Sequence, residues 1–490
     1  MPSISLDPGG RACGPRWLTM ALVAAAVVVA GCGQAVGAGD DAAVTTGDGD
    51  VDPVDAGPIV TGEPQWAMLG GTPQRNGRSA FVGPSQVTEQ VVSLDAREDA
   101  DVLVFVNAVG PDGTVYAVLR TNNELGRLVS LQPDGSVLWQ GSIDVVGGVA
   151  LSSAGHLLLE GAQRVDLTDP SSPVNTIFGL GSNGSVLWAA HPDGSQRIDT
   201  ELRHSAPLVD SAGNVYVYLP IAGAPDLEHD GYHLCSFDDT GAFRWCWDRV
   251  VGSANYVAPA LGPDETIYVA VENEDINLPW DPSSAEGVYA LDLDGAEQWY
   301  LPLPSIRITT IAVGDDGTLY YAGFTAGVFV GSVDPAGGKG WTATFPQRYQ
   351  NISTSLAIAP DTAPEPTVYV GGWHDPDADE SEGSLTALTP AGVERWKVET
   401  GGIPCGGLAV DASGAVYALI FGSMMGASSP WLLSLEPDGS QRLSSELSPP
   451  HPPFPCLSTE VSRHTMSVVL ADGGRIYLGS GNGKLHIFAP

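Results

Sequence analysis

The sequence is poor in positive charge. Only 21 of its 490 residues are Lys or Arg, against 58 Asp and Glu, so the formal net charge is −37. Charged residues of both signs make up 16% of the chain. A nucleic-acid-binding protein presents a basic face to the phosphates, and this composition excludes that class.

Long hydrophobic runs are also missing. The apolar run Met20–Ala30 (MALVAAAVVVA) is too short for a transmembrane helix, which needs about 20 residues. Arg11 and Arg16 precede it, an arrangement typical of a secretory signal peptide. We therefore expect residues 1–31 to be a signal peptide that is removed.

The run ends in Val-Ala-Gly-Cys, with the cysteine at position 32, and this motif resembles the bacterial lipobox. The resemblance implies that Cys32 becomes the first, acylated residue and that lipid (palmitate among its chains) replaces a membrane-spanning anchor. Similarity to enteric lipoproteins implies that Gly33 favours the outer membrane, on its periplasmic or its surface face. The alternative is an ordinary secretory cleavage site with an incidental cysteine.

Residues 32–62 contain no Lys, Arg or aromatic residue and are rich in Asp, Gly and Ala. Such a segment cannot bury enough apolar surface to fold, so we expect a disordered acidic tether. Its GDGDVDPVD stretch lacks the glycine and the bidentate glutamate of a calcium loop, and we do not expect calcium there.

From residue 100 onward one pattern recurs eight times. Each copy has a turn, then a strand start that usually ends in Tyr, then a second turn whose Gly stands four residues before Trp. The strand starts begin at Gly113, Gly155, Gly213, Glu265, Gly317, Pro366, Gly414 and Gly474. The Trp positions are Trp139, Trp188, Trp245, Trp299, Trp341 and Trp396, with Leu443 in the seventh copy.

The pattern predicts two antiparallel hairpins per copy, because Asp-Gly and Asn-Gly turns and alternating apolar residues are hairpin signals. Four strands cannot bury both of their faces alone. The spacing therefore predicts an all-β, eight-bladed β-propeller of four-stranded antiparallel blades over residues 63–490. The eighth copy ends after three strands, and we expect the N-terminal segment Glu63–Trp66 to supply the fourth, with Trp66 at the repeated Trp position.

The segment Trp66–Ser79, followed by repeats of the form DGTVYAV…LVSLQPDGSVLW, resembles the pyrroloquinoline-quinone-type propeller superfamily. Within it, the chain is similar to the lipoprotein scaffolds of outer-membrane β-barrel assembly. The resemblance spans residues 64–490 and implies the fold. It leaves the function open, because the superfamily includes quinone-dependent dehydrogenases, sensor domains and non-enzymatic scaffolds.

Catalytic motifs are absent from the sequence. The resemblance implies that a quinone-dependent dehydrogenase would carry two adjacent cysteines, a Trp platform and a Glu/Asn/Asp calcium set, but no two cysteines are adjacent here. No HExxH or GxSxG pattern occurs, and the glycine-rich turn at 479–483 precedes no helix. We expect no enzymatic activity, no pyrroloquinoline quinone, no calcium and no metal site.

Cysteine is scarce, with six in the chain. Cys235 and Cys246 flank the Asp-Asp-Thr-Gly turn symmetrically, and we expect a disulfide across that hairpin. Cys405 and Cys456 precede the inner strands of the seventh and eighth copies, where a second disulfide is plausible. The alternative for both pairs is buried free thiols.

The residues just before each inner strand of a propeller line one mouth of its channel. Those positions hold Arg203, His204, Asn255, Tyr256, Arg307, Asn351, Arg463 and His464. A positive funnel in so acidic a chain could bind an acidic peptide, a carboxylate-bearing ligand or an anion. Alternatively, these arginines bond backbone carbonyls and tie the inner strands together.

An acidic loop at 373–383 interrupts the sixth copy; its spacing fits a solvated hairpin tip better than a calcium site. Taken together, the motifs favour a monomeric, lipid-anchored scaffold that binds an envelope protein or peptide. Two other hypotheses remain: a quinone-dependent oxidoreductase with a nonstandard site, and a ligand or glycan sensor that uses the arginine-lined funnel.

Overall fold

A computed structural model describes most of the repeat region. The described residues are 58–95, 102–121, 126–164, 173–190, 206–221, 231–249, 257–271, 286–303, 307–324, 328–345, 355–361, 367–374, 382–422, 430–448, 467–480 and 483–490. Within these ranges the chain is almost entirely strand and turn, with one short 3₁₀ turn at Asp472–Gly474. No helix in these ranges is long and apolar enough to cross a membrane.

The strands follow the repeats closely. In chain order they are β1 (Thr88–Ser93), β2 (Val102–Val109), β3 (Val115–Thr121), β4 (Gly126–Leu131), β5 (Val137–Leu151), β6 (His156–Arg164), β7 (Pro173–Gly181), β8 (Val186–Ala190), β9 (Leu208–Val209), β10 (Val215–Ile221), β11 (Gly231–Phe237), β12 (Phe243–Cys246), β13 (Ala260–Leu261), β14 (Ile267–Val271), β15 (Gly287–Leu291), β16 (Glu297–Pro302), β17 (Arg307–Val313), β18 (Leu319–Phe324), β19 (Val328–Val333), β20 (Lys339–Phe345), β21 (Ser355–Ile358), β22 (Val368–His374), β23 (Glu382–Leu388), β24 (Glu394–Glu399), β25 (Ile403–Val410), β26 (Val416–Phe421), β27 (Trp431–Leu435), β28 (Gln441–Glu446), β29 (Val469–Ala471), β30 (Arg475–Gly479) and β31 (Lys484–Ala489).

These strands form six four-stranded antiparallel sheets and one seven-stranded sheet, β2 to β8. The expectation of separate four-stranded blades is therefore wrong for the first two repeats. Their sheets are continuous because β5 serves as the last strand of repeat 1 and the first of repeat 2. Asp144 is paired with Arg127 on one side and with Ala162 on the other.

Neighbouring repeats are joined by the recurring tryptophans. Each Trp ring packs on the second-turn glycine of the next repeat, and its indole N–H donates to the carbonyl two residues before that glycine. The bonds run from Trp139 to Ser182 (3.1 Å), Trp188 to Asp239 (2.9 Å), Trp245 to Leu293 (3.0 Å), Trp299 to Pro335 (3.0 Å), Trp341 to Pro390 (2.6 Å) and Trp396 to Pro437 (2.8 Å). The same Gly-to-Trp step thus specifies both a hairpin and an inter-repeat contact.

The eighth repeat takes its fourth strand from β1, which pairs antiparallel with β31 from Thr88↔Ala489 to Ser93↔Lys484. The expectation that Glu63–Trp66 fills this place is wrong. Pro64 has no N–H to donate to a strand ladder, and Trp66 instead forms a bridge with Val109 of β2.

The joint between the eighth and first repeats uses other side chains. Val92 of β1 lies against Gly135, the first repeat's turn glycine, where other repeats place Trp. The hydroxyl of Tyr477 donates to the carbonyl of Pro133 at 3.1 Å. The imidazole Nδ1 of His486 lies 2.6 Å from Glu89 Oε1 and ties β31 to β1.

The end of the segment assigned to the acidic tether lies on the second repeat. Val60 N donates to Ser182 Oγ and Gly62 N donates to Ser153 O, both at 2.7 Å. Residues 58–62 therefore pack against the repeats. Residues 1–57, including Cys32, lie outside the described residues.

Candidate functional site at the ends of the inner strands

Most of the predicted funnel falls outside the described residues. This applies to Arg203, His204, Asn255, Tyr256, Asn351, Arg463 and His464. Arg307 begins β17, and its Cα is paired with that of Phe324 on β18. The funnel stays a prediction.

The other ends of the inner strands carry a feature that the sequence did not reveal. The segment Trp66–Ser79, here called the axial segment, runs past the inner strands in chain order and hydrogen-bonds to nearly all of them through its backbone. The bonds are Val109 N to Trp66 O (2.8 Å), Leu151 N to Ala67 O (2.8 Å), Leu261 N to Pro73 O (2.9 Å), Val313 N to Gln74 O (2.9 Å), Ile358 N to Asn76 O (2.9 Å) and Val410 N to Gly77 O (2.8 Å). One short stretch of chain therefore contacts repeats that are far apart in sequence.

Side chains of the axial segment contact the remaining repeats. Ser79 Oγ donates to Leu470 O in the eighth repeat at 3.2 Å, and Arg75 contacts the third repeat.

Gly77 fits because it has no side chain: a Cβ there would lie 2.6 Å from Leu408 O, and its φ of 70° is in the left-handed region that glycine tolerates.

Arg75 is the most deeply buried cation of the axial segment, with 6% of its surface exposed. Its Nε donates to Pro259 O at 3.1 Å, Nη1 to Leu69 O at 2.6 Å, and Nη2 to Ala206 O and Pro207 O at 2.9 and 3.0 Å. Burial lowers the pKa of the Arg75 guanidinium to about 9, which still leaves it charged at neutral pH. The fork of donors thereby joins the third and fourth repeats to the axial segment.

Arg78 joins two further repeats through its guanidinium group, as Arg75 does. Its Nε and Nη2 each donate at 2.8 Å, to the carbonyl oxygens of Ile358, the last residue of β21, and Ala359, the residue after it. Its Nη1 is paired with the carboxylate of Asp315, in the turn after β17. The fifth and sixth repeats are therefore bridged by one side chain. Arg75 and Arg78 therefore donate to backbone carbonyls and tie inner strands together. This is the role that the sequence analysis gave as the alternative for the funnel arginines.

The axial segment and Arg307 lie at opposite ends of β17. Val313, which bonds to Gln74, ends β17, whereas Arg307 begins it. At about 3.3 Å per residue, the two ends of this strand are roughly 20 Å apart. The axial segment therefore does not cover the end of the strand at which the funnel is predicted.

The sequence marks this site only through the segment Trp66–Ser79, which carries the family resemblance. Most hydrogen-bond partners of its arginines are carbonyl oxygens of residues far away in sequence, which no local pattern encodes. Only the tertiary structure assigns Arg75 and Arg78 their contacts.

Two features of a quinone-dependent dehydrogenase, its metal ligands and its cysteine pair, can be compared with the described residues. In the described ranges no group of three or more His, Cys, Asp or Glu side chains is placed to hold a metal ion. Cys235 and Cys246 are bonded to each other across a hairpin rather than adjacent in sequence.

The hairpin disulfide joins directly opposed residues, since Cys235 of β11 is paired with Cys246 of β12. Cys405, within β25, is also disulfide-bonded, and its partner lies outside the described residues. Cys456, the expected partner, lies there too, as do the core of the acidic loop at 375–381 and the GDGDVDPVD stretch.

One buried carboxylic acid lies away from the axial segment. Glu160 on β6 is 4% exposed, and desolvation raises the pKa of its carboxyl to about 8. A group of this kind is a candidate for acid–base chemistry only where it meets a substrate. No described feature places a ligand beside it, and its expected effect is on the pH dependence of stability.

Comparison with known proteins gives the fold. No family model and no curated protein matches this chain. Among solved structures, it is similar to a europium-containing methanol dehydrogenase (TM-score 0.54, 12% identity, 87% of this chain and 98% of that chain). It is similar to the quinohemoprotein alcohol dehydrogenase from Comamonas testosteroni (TM-score 0.57, 14% identity, 87% and 80%). It is also similar to BamB from Moraxella catarrhalis (TM-score 0.50, 15% identity, 83% and 100%).

These similarities confirm, at the level of fold, the resemblance to the pyrroloquinoline-quinone-type propellers. The chain is an all-β protein of antiparallel sheets, and its fold is similar to the folds of these three proteins. Identities of 12 to 15% carry no function across, because one fold hosts many activities.

Proposed function

We propose that this protein is a non-enzymatic scaffold of the bacterial cell envelope. In this proposal the sheets form an eight-bladed propeller, closed by the pairing of β1 with β31. Lipid on Cys32 anchors the propeller to the outer membrane, and its surface binds an envelope protein or peptide.

The axial segment is the observation that carries the proposal. An enzyme needs polar groups that are free to meet a substrate. At the described ends of the inner strands, the main chain is bonded to Trp66–Ser79, and the guanidinium donors of Arg75 and Arg78 are directed to carbonyl oxygens and Asp315. This end is built for rigidity, so in this proposal recognition falls to other surfaces of the repeats, the outer strands among them.

The cysteines support export. A disulfide between Cys235 and Cys246 is typical of oxidising compartments such as the periplasm and is rare in the cytosol. Export agrees with the signal-peptide pattern at residues 1–31 and with the lipobox motif at Cys32.

The anchor is tested by fractionation of cells that express the full-length chain and its Cys32→Ala variant. The full-length chain is expected in the outer-membrane fraction, and the variant in the inner membrane or the soluble fraction. Equal recovery of both in the outer membrane would contradict lipid anchoring.

The scaffold role is tested with the same cells by in vivo cross-linking followed by purification of the full-length chain. A discrete envelope protein is expected to cross-link reproducibly. Addition of pyrroloquinoline quinone and calcium to the purified protein is the control, and neither an absorbance change nor thermal stabilisation is expected. Stabilisation by the quinone without any cross-linked partner would favour the oxidoreductase hypothesis instead.

A further inference from the structure

One position in the repeat differs between the two halves of the protein. It lies two residues before the repeated Trp, on the last strand of each repeat. In repeats 1 to 3 it holds Val137, Val186 and Phe243, which are 46%, 56% and 52% exposed. In repeats 4 to 7 the same position holds Glu297, Lys339, Glu394 and Gln441.

The later repeats act as an internal control. Because charged and polar residues occupy the same backbone position there, the fold does not require an apolar side chain at this point. Isolated apolar residues on a surface need no explanation, but three in consecutive repeats at one position form a pattern. We call Val137, Val186 and Phe243 the apolar arc.

The members of the arc lie on neighbouring repeats. Trp139, two residues after Val137, packs on Gly184, two residues before Val186; Trp188 packs on Gly241 in the same way. Strands β8 and β12 end their sheets, so within the described residues no further strand pairs with their outer edges. Leu187, beside Val186, is a further 40% exposed.

The charge around the arc determines what can bind. Asp134 precedes Val137, and Asp239 precedes Phe243, both in exposed turns. The hydroxyl and the N–H of Ser136 donate to Asp134 and lower the pKa of its carboxyl, so it is ionised at neutral pH. Together with the net charge of −37, these carboxylates repel an anionic membrane surface and attract Lys and Arg.

We propose that the apolar arc is the docking surface for a segment of a partner protein that carries both apolar side chains and Lys or Arg. This inference rests on the proposed scaffold function and specifies its interaction surface. Packed sheets lie about 10 Å apart, so a segment that contacts three repeats must span roughly 20 Å or more. That length corresponds to about six extended residues or about 13 helical ones.

The test compares two matched triple variants of the full chain. One replaces the arc (Val137→Ser, Val186→Ser, Phe243→Ser), and the other makes the same change at the equivalent positions of later repeats (Lys339→Ser, Glu394→Ser, Gln441→Ser). The probe is a fluorescent 14-residue peptide of alternating Leu and Lys, and its binding is followed by anisotropy. Peptides of alternating Ser and Lys, and of alternating Leu and Glu, are the comparison probes.

The Leu–Lys peptide is expected to bind the wild-type chain and the control variant equally, and the arc variant about tenfold more weakly. The other two peptides are expected to bind weakly to all three proteins. Equal binding of the Leu–Lys peptide to both variants would overturn the proposal, as would its failure to bind the wild-type chain. Equal affinity for the Ser–Lys peptide would overturn it too, because charge alone would then explain the binding.

Vesicles of phosphatidylglycerol test whether the apolar arc binds a membrane instead of a protein segment. We expect no vesicle binding through the arc. Loss of vesicle binding in the arc variant alone would assign the arc to a membrane and overturn the proposal. Phe243 also contacts Phe237, at 5.8 Å between ring centroids. If the triple variant melts early, the double variant Val137→Ser, Val186→Ser replaces it, with about threefold weaker binding expected.

The failure of this inference differs from the failure of the scaffold function. If in vivo cross-linking captures a partner and the arc variant captures it equally well, the arc is wrong and the scaffold function stands. If no partner is captured by the wild-type chain, the scaffold function itself fails.

Discussion

The indole Nε1 of Trp396 donates a hydrogen bond to the carbonyl oxygen of Pro437 at 2.8 Å, and its ring lies over Gly439 of the next repeat. The same relationship between a Trp and the following glycine turn recurs through the repeats. The stability of each contact between repeats therefore depends on the Trp ring, on its hydrogen bond and on the absence of a side chain at the turn glycine. Each of these can be tested separately.

Trp396→Ala is expected to lower the free energy of unfolding by about 2 kcal/mol, because it removes a partly buried ring and leaves a gap between repeats. Trp396→Phe keeps most of the ring and loses the hydrogen bond, at a cost of about 1 kcal/mol. Urea unfolding followed by intrinsic fluorescence measures both. A larger loss for Phe than for Ala would contradict the contact.

Gly439→Ala tests the other side of this joint. Its φ of 84° disfavours any side chain, and a Cβ would lie 3.0 Å from the Trp396 ring. A loss of about 1 to 2 kcal/mol is expected. Gly372→Ala is the control, since a Cβ at Gly372 meets no atom within 4 Å, and its melting temperature should stay close to that of the wild type.

Arg75→Lys is expected to lower the free energy of unfolding by at least about 2 kcal/mol. An ammonium group cannot reproduce the planar fork that reaches Leu69, Ala206 and Pro259, and buried carbonyl oxygens would lose their donors. The exposed Arg127→Lys change serves as the control. Calorimetry of the two variants measures the difference, and similar melting temperatures would mean that the axial segment contributes little.

Replacement of both Cys235 and Cys246 by Ser removes a bond that closes a loop over a sequence separation of 11. The chain-entropy estimate gives a loss of about 3 kcal/mol. Reductant should lower the melting temperature of the wild type, and should still lower that of the double variant because Cys405 is also disulfide-bonded. A double variant that is insensitive to reductant would place all redox-linked stability in the hairpin.

Glu160 predicts a pH dependence. Its pKa is raised to about 8 in the folded state by burial, above an unfolded value near about 4.3. The folded state therefore holds a proton that the unfolded state releases, so stability is full below about pH 4.3 and is lost as pH rises towards about 8. Glu160→Gln removes this loss, which is about 5 kcal/mol at most and is complete only above about pH 8.

The measurement for Glu160 is the difference in stability between wild type and Glu160→Gln at pH 5 and at pH 8. The variant should gain on the wild type as pH rises. The comparison cancels the general repulsion of so acidic a chain, which acts equally on both proteins. A constant difference between the two pH values would mean that Glu160 ionises normally.

Much of the fold could be predicted because its signals are local and repeated. Asp-Gly turns and alternating apolar residues specified the hairpins, and the four-residue step from glycine to Trp396 and its equivalents marked each joint. The candidate site was predicted less well. The funnel around Arg307 stays a prediction, and the contacts of Arg75 depend on carbonyl oxygens that sequence does not distinguish from any others.

The sequence by itself determined the all-β fold class and the hairpins of the repeats, because a turn and an alternating strand need only neighbouring residues. It also carried the −37 charge and the motif at Cys32. Only the tertiary structure shows which N-terminal stretch completes the last repeat: it is Thr88–Ser93, and not Glu63–Trp66. Only the tertiary structure also shows that Trp66–Ser79 hydrogen-bonds to the inner strands. Both outcomes are contacts between residues that are far apart in sequence. Several stretches of the chain could make such a contact, and the packing of the whole fold determines which of them does.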